Sequence, residues 1–167
     1  MAACMRFTRR VWKSFVDNKG HDQQCFPNLK ILEAKPGLLR ASLKIEPYNC
    51  THPSRVHGGL IMSLTDTAGS LAVATKGQFL TGVSVDIGTS FVKPGGRAGD
   101  ELTVSAVVTG MGRSLAYTRV EFVNAAGQLA AYGHHTKYIG KSAGHENDVK
   151  FSDDGETVIE GKDVDVD

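Results

Sequence analysis

The spacing of apolar residues changes character along this chain, and each change predicts a different element. Between residues 5 and 18, Phe7, Val11, Trp12, Phe15 and Val16 recur at helical spacing with basic residues among them, which predicts an amphipathic helix ending near Gly20. Two short strands follow, Leu29 to Ala34 and Leu38 to Ile45, joined by a Pro36-Gly37 turn, and then a polar loop from Pro47 to Arg55. From Leu60 to Thr75 the chain is apolar almost all round, with Leu60, Leu64 and Leu71 on one side and Met62, Gly69 and Val73 on another. That is the pattern of a buried helix. Beyond Gly77 the period becomes two, as in half-buried strands. Val83, Val85, Ile87, Thr89 and Phe91 alternate with Ser84, Asp86 and Ser90, and further strands run through Leu102 to Val108, Leu115 to Val123 and Leu129 to Ile139. Their connections are the Lys93–Asp100 loop, a turn region at Thr109–Arg113 and a hairpin at Asn124–Gln128. An α+β fold is predicted, in which an antiparallel meander of about four strands, with the earlier pair, wraps a long central helix.

Composition narrows this picture. With 167 residues, 41% of them hydrophobic, the chain fits one globular domain that needs no staples. Its parts are an N-terminal amphipathic helix (1–22), the sheet-and-helix domain (23–140) and a tail (141–167). The tail holds nine of the eighteen acids against three lysines and few aromatics, so it is expected to be disordered. Residues 1–140 then carry 16 Lys and Arg against 9 acids. Such a dispersed surplus suits a phosphate-rich small molecule better than nucleic acid, for which the basic clusters interleaved with aromatics are missing. Cys4, Cys25 and Cys50 have neither a metal-site spacing nor a partner arithmetic, and read as reduced thiols of an intracellular protein. No apolar run approaches the roughly 18 residues of a membrane span. The N-terminal helix, basic and free of acids until Asp17, reads either as a docked helix or as mitochondrial targeting, which leaves cytoplasm and mitochondrion both open.

The chemical anomaly is Asp66, the single charge between Leu60 and Thr75. A carboxylate on an apolar helix is costly unless paired. It is either structural, satisfied by backbone or a neighbouring subunit, or a general base or nucleophile whose pKa desolvation raises. At the start of the same helix, His57-Gly58-Gly59 offers unpaired backbone N–H groups and the positive end of the dipole, so the N–H of Gly58 or Gly59 can receive a developing oxyanion. Nine residues of helix separate His57 from Asp66, on the order of 13 Å. Donor and carboxylate therefore cannot serve one carbonyl within a single chain, and the site is expected to be shared by two subunits. His134 and His135, adjacent on a strand, point to opposite faces, which disfavours a paired metal site.

The segments His57–Asp66, Gly82-Val83-Ser84-Val85-Asp86, Gly112-Arg113-Ser114-Leu115-Ala116-Tyr117-Thr118 and Gly133-His134-His135-Thr136-Lys137-Tyr138 resemble, in order and spacing, the hotdog thioesterases of the acyl-coenzyme A thioesterase 13 (thioesterase superfamily member 2) group. The bacterial phenylacetate-pathway thioesterases share the first part. The resemblance covers roughly residues 5–140. It implies a hotdog fold, a homotetramer built as a dimer of dimers, and hydrolysis of medium- to long-chain fatty acyl-CoA to fatty acid and CoA, with no metal and no cofactor beyond the CoA of substrate and product. By matching positions, Asp66 would be the carboxylate, Gly58 N–H the oxyanion donor, His57 a shaper of the carbonyl pocket and Ser84 the group that orients water. Lys93, Pro94, Gly95 and Gly96, the run Thr109, Gly110, Met111, Gly112, Arg113 and Ser114, and Tyr138 match segments that hold CoA, with Lys93 and Arg113 suited to its phosphates. Gly59, in the His57-Gly58-Gly59 start of the helix, and Asn49 are counted with these substrate- and CoA-binding positions. One departure stands out: where the family carries Asn six residues before the histidine, this chain has Thr51, so Thr51, Asn49 or His52 is the candidate replacement. A non-catalytic acyl-CoA binding or scaffold protein, and enoyl-CoA hydratase-type chemistry on the same fold, are the competing readings.

Overall fold

The computed structural model describes residues 1–51 and 54–164. Helix α1 (Ala3–Asp17) buries Cys4, Phe7 and Val11, with Trp12 and Phe15 packed at its margin. This is the stripe that the spacing predicts, docked on the domain. A short helix α2 (His21–Cys25), unmarked by any periodicity, crosses to the central helix. Strands β1 (Lys30–Lys35) and β2 (Leu38–Lys44) form the expected hairpin. The Pro47–Asn49 turn and the small ladder of β3 (Cys50–Thr51) and β4 (Arg55–Val56) lead into α3 (Gly58–Ala74).

Strands β5 (Val83–Phe91), β6 (Glu101–Met111), β7 (Leu115–Val123) and β8 (Leu129–Tyr138) complete a six-stranded antiparallel sheet in the order β1-β2-β6-β7-β8-β5. It curls around α3, whose Leu60, Leu64, Leu71 and Val73 are buried against it. This is the hotdog architecture. The meander, however, is β6-β7-β8 alone; β5 crosses over to pair with β8 and becomes the sheet edge. Its apolar residues are consequently uncovered, with Val83 63%, Val85 57% and Phe91 54% exposed, where alternation had predicted a half-buried strand. A bulge between Ser84 and Asp86 also resets the period, so these two do not share a face as simple alternation requires. The register pairs Ser84 with Lys137 and Ile87 with His135 on the side facing α3, while Asp86 meets His134 on the other. Strand β6 runs on to Met111 through a second bulge, which shortens the predicted turn region to its last residues.

The acidic tail differs most from expectation. Residues 141–164 fold back over α1 and include a hairpin of β9 (Lys150–Phe151) and β10 (Val158–Glu160). Helix α1 has no side-chain N-cap; the tail instead offers its carbonyls, Ala3 N–H donating to Glu156 O at 3.2 Å and Cys4 N–H to Gly155 O at 2.9 Å. Phe151 meets Phe7 edge to face at 5.6 Å, Asp163 pairs with Arg6, and Asp148 accepts the Phe79 N–H at 2.9 Å. The tail docks where α3 ends. Gly77, at φ +92°, lies so close to Val149 O that a Cβ would stand 2.0 Å from it, and Val149 N–H donates back to Gly77 O. Composition mispredicts this segment because a few apolar anchors and backbone bonds to an uncapped helix outweigh the average polarity. Asp165 and Asp167 lie outside the described residues.

Candidate active site

Helix α3 carries both halves of the predicted site, and its first turn decides between two glycines. His57 is extended (φ −71°, ψ 133°) and caps the helix by accepting the Gly59 N–H on Nδ1 at 2.8 Å. The Gly59 donor is thereby used. Among the described residues nothing accepts the Gly58 N–H, which borders a cleft of about 350 Å³ walled by Val56, Ile61, Phe91 and the Val92–Gly95 segment. The structure thus brings Gly58 together with Lys93, Pro94 and Gly95. His57 and Gly59 line a separate cleft of about 590 Å³ that reaches Cys25, Tyr48 and Asn49.

Asp66 lies two turns further on, in a cleft of about 490 Å³ with Ser63, Ser70, Ile87 and Lys137. Its side chain keeps half of its exposure in the single chain, short of the desolvation expected from sequence, because edge strand β5 leaves that flank of α3 open. Beneath it lies His135, fully buried, whose Nε2 is 2.8 Å from Ser84 Oγ and 3.6 Å from Asp66 Oδ1. Burial, and then the Lys137 charge, push the His135 pKa down to about 4, so the ring is neutral near pH 7 and its contact with Asp66 is not an ion pair. Among the described residues its Nδ1 meets no hydrogen-bond partner of good geometry, and it faces Gly69, where a Cβ would come within 2.8 Å of it. Nε2 and Ser84 Oγ share one hydrogen bond, which fixes the serine side chain against the neutral ring.

Two further supports reach the helix from other elements. Lys137, 4% exposed, donates from Nζ to Ser70 Oγ at 2.6 Å, and Ser70 Oγ is 3.4 Å from Asp66 Oδ1. From α2, His21 Nε2 is 2.9 Å from Ser63 Oγ and Asp22 Oδ1 accepts from Thr67 Oγ1 at 2.5 Å. The His21–Ser63 pair belongs to both the Asp66 cleft and the His57 cleft and forms the wall between them. None of His135, Lys137, Ser70, His21 or Asp22 stood among the sequence candidates. A signal for two of them existed: the inward phase of β8, set by Ala131 and Gly133, continues through His135 and Lys137, placing polar residues where a core residue is expected. Nothing in the sequence announces α2.

Other expected residues lie apart. Asn49 is buried with both ends of its amide engaged, Oδ1 accepting from Glu46 N–H at 2.9 Å and Nδ2 donating to Cys25 O at 2.6 Å. These two bonds tie the loop to α2. Thr51 is exposed and donates to Arg55 O at 3.2 Å, while His52 lies outside the described residues. Thr109 to Ser114 form the β6–β7 hairpin end, next to Tyr138 through the Leu115–Tyr138 pair. The Lys93–Gly96 loop is tied to the other end of the sheet, where Asn124 donates to Pro94 O and Val56 N–H to Gly96 O. The length of β6, about 33 Å, separates the two groups. His134 and His135 do face opposite sides, His134 Nε2 meeting Asp86 at 3.0 Å on the outer face.

A six-stranded antiparallel sheet wrapped around one long helix defines the class: a hotdog domain. Comparison with known proteins agrees. The family model of the thioesterase superfamily matches residues 54–131. An esterase-type protein of Schizosaccharomyces pombe is 35% identical over 140 residues, covering 84% of this chain and 87% of its own. Human acyl-coenzyme A thioesterase 13 is 32% identical over 141 residues, covering 84% of this chain and 99% of its own. Among solved structures, zebrafish thioesterase superfamily member 2 superposes with a TM-score of 0.72 at 29% identity, over 78% of this chain and 94% of that one. The chain belongs to the thioesterase superfamily, in the group of acyl-coenzyme A thioesterase 13 and thioesterase superfamily member 2.

Proposed function

We propose that this protein hydrolyses medium- to long-chain fatty acyl-CoA to the free acid and CoA, at a site assembled from two subunits. The observation that carries the reading is the division of labour along α3: Gly58 keeps a free N–H because His57 has consumed that of Gly59, while Asp66 lies two turns away, bonded by Ser70 and packed over His135. Within one chain the two are about 12 Å apart along the helix. Pairing of edge strand β5 with its copy across a twofold axis would cover Val83, Val85 and Phe91 and bring one chain's Gly58 toward the other's Asp66.

In this arrangement Ser84, oriented by neutral His135, and Asp66 hold a water. Asp66 takes its proton as the oxygen attacks the thioester carbonyl carbon. Negative charge passes to the carbonyl oxygen on the Gly58 N–H, at the positive end of α3, and the C–S bond then breaks to release CoA thiolate, which recovers a proton. Lys93 to Gly96 of one subunit and Thr109 to Ser114 with Tyr138 of another would share one CoA, since a single chain places them at opposite ends of its sheet.

The test is thiol release from a series of acyl-CoA chain lengths, by wild type and Asp66→Ala. Loss of about 10²- to 10⁴-fold in the variant is expected, and undiminished turnover would reject the assignment. Wild type that binds acyl-CoA without turnover would favour the binding-protein reading, and hydration of an enoyl-CoA would favour hydratase chemistry.

A further inference from the structure

The mechanism leaves one buried charge without a task. Lys137 is almost wholly enclosed and donates to Ser70 Oγ at 2.6 Å. An ammonium has only donors, so Ser70 accepts there with its oxygen and its single proton must point elsewhere. The acceptor in its path is Asp66 Oδ1, at 3.4 Å. Donation therefore runs in one direction, from ammonium to hydroxyl to carboxylate. The other ionisable groups around Lys137 are Asp22 and His21 on α2 and His135 two residues away on β8, whereas α1 and β5 bring only Phe15 and Ile87 to this cleft. Asp22 and Asp66 both place negative charge near Lys137, and the Ser70 hydroxyl joins the lysine to Asp66 by hydrogen bonds.

We propose that Lys137 is a positioning residue for Asp66: acting through Ser70, it sets the carboxylate's orientation and supplies the buried positive charge that keeps it ionised when substrate and a partner subunit close the cleft. The inference rests on the thioesterase reading. Covering Asp66 with an acyl chain penalises its charged form, and a general base is useful only while unprotonated. An opposite charge at the far end of a single hydroxyl offsets that penalty. Burial lowers the lysine's own pKa, and the charges of Asp66 and then Asp22 oppose that shift.

Lys137→Met keeps the apolar stem and removes the charge. Near neutral pH kcat should fall by about tenfold with KM changed by less than about twofold, and the acidic limb of the kcat profile should move up by about one pH unit. Ser70→Ala retains the charge and cuts the relay; it should move the limb in the same direction by less. An acidic limb that coincides with wild type in Lys137→Met, or in Ser70→Ala should the first variant not fold, overturns the proposal. Titration of the Asp66 carboxyl by carbon-13 NMR, assigned through Asp66→Asn, gives a readout without turnover: an upward shift in Lys137→Met supports the proposal and an unchanged midpoint overturns it. Wild type inactive on every thioester would sink the hydrolytic reading, and the carboxyl titration would still decide the role of Lys137.

Discussion

The two halves of the proposed site on α3 are built in opposite ways. Around Asp66 the chain has assembled its own surroundings: His135, Ser70 and Lys137 lie beneath or beside the carboxylate, and α2 covers the adjoining turns through Ser63 and Thr67. Around Gly58 there is, among the described residues, one free N–H, a cleft open toward the β5 edge, and a preceding loop in which Asn49 bonds to Glu46 and Cys25 and Thr51 to Arg55. A base must be oriented and charge-balanced before substrate arrives, which takes many side chains. An oxyanion donor needs only a backbone N–H in the right place, which a capped helix start supplies without help.

The contrast breaks first at the donor. Gly58→Pro deletes the N–H at the first helical position, where proline is tolerated, and the extended His57 before it suits a pre-proline residue. A new Cβ would meet the Phe91 ring at 3.3 Å, a contact that ring can relax. The variant should fold and lose about 10²- to 10³-fold in kcat. Unfolded and refolded in equal mixture with Asp66→Ala, it should recover about a quarter of wild-type activity, because half of the dimers are mixed and each has one of two sites intact. No recovery would mean that donor and carboxylate act from the same chain.

The Asp66 half should also show itself in stability against pH. His135 titrates near 4 in the folded chain against an ordinary 6.5, so between those values the unfolded chain binds the extra proton. Its contribution is therefore intact above about 6.5 and is lost as pH falls toward 4. About 2 kcal/mol should go between pH 7 and pH 5 in denaturant titrations, and His135→Gln should flatten that slope whatever its effect on absolute stability. Phe151→Ala asks whether the C-terminal clasp on α1 steadies the Asp66 half. It should lower stability by about 1–2 kcal/mol, read as a drop in Tm, with kcat changed by less than about twofold. Least affected should be Thr51→Asn: Thr51 is exposed and bonded only to its own hairpin, so kcat/KM should move by less than about threefold.

Much of this was legible beforehand because it is local. The helical stripe of α1, the apolar length of α3 and the periods of β6, β7 and β8 each reside in a few neighbouring residues, and Asp66 stands out against its own helix. What escaped depends on residues far apart in the chain. Strand β5 reads as a half-buried partner of its neighbours until the crossover makes it an edge, and the bulge at Ser84–Asp86 defeats any count by twos. The tail looks disordered until Phe151 is placed against Phe7 and its carbonyls against the bare start of α1.

Sequence alone therefore determined which backbone and which carboxylate are exceptional, since an HGG start and a lone Asp on an apolar helix are anomalies of composition at close range. Only the tertiary structure decided which glycine keeps its N–H, because the choice turns on where one imidazole nitrogen points. It alone brought His135 and Lys137 under Asp66, because strand register, set by pairings up to 55 positions apart between β5 and β8, determines which polar side chains enter the core.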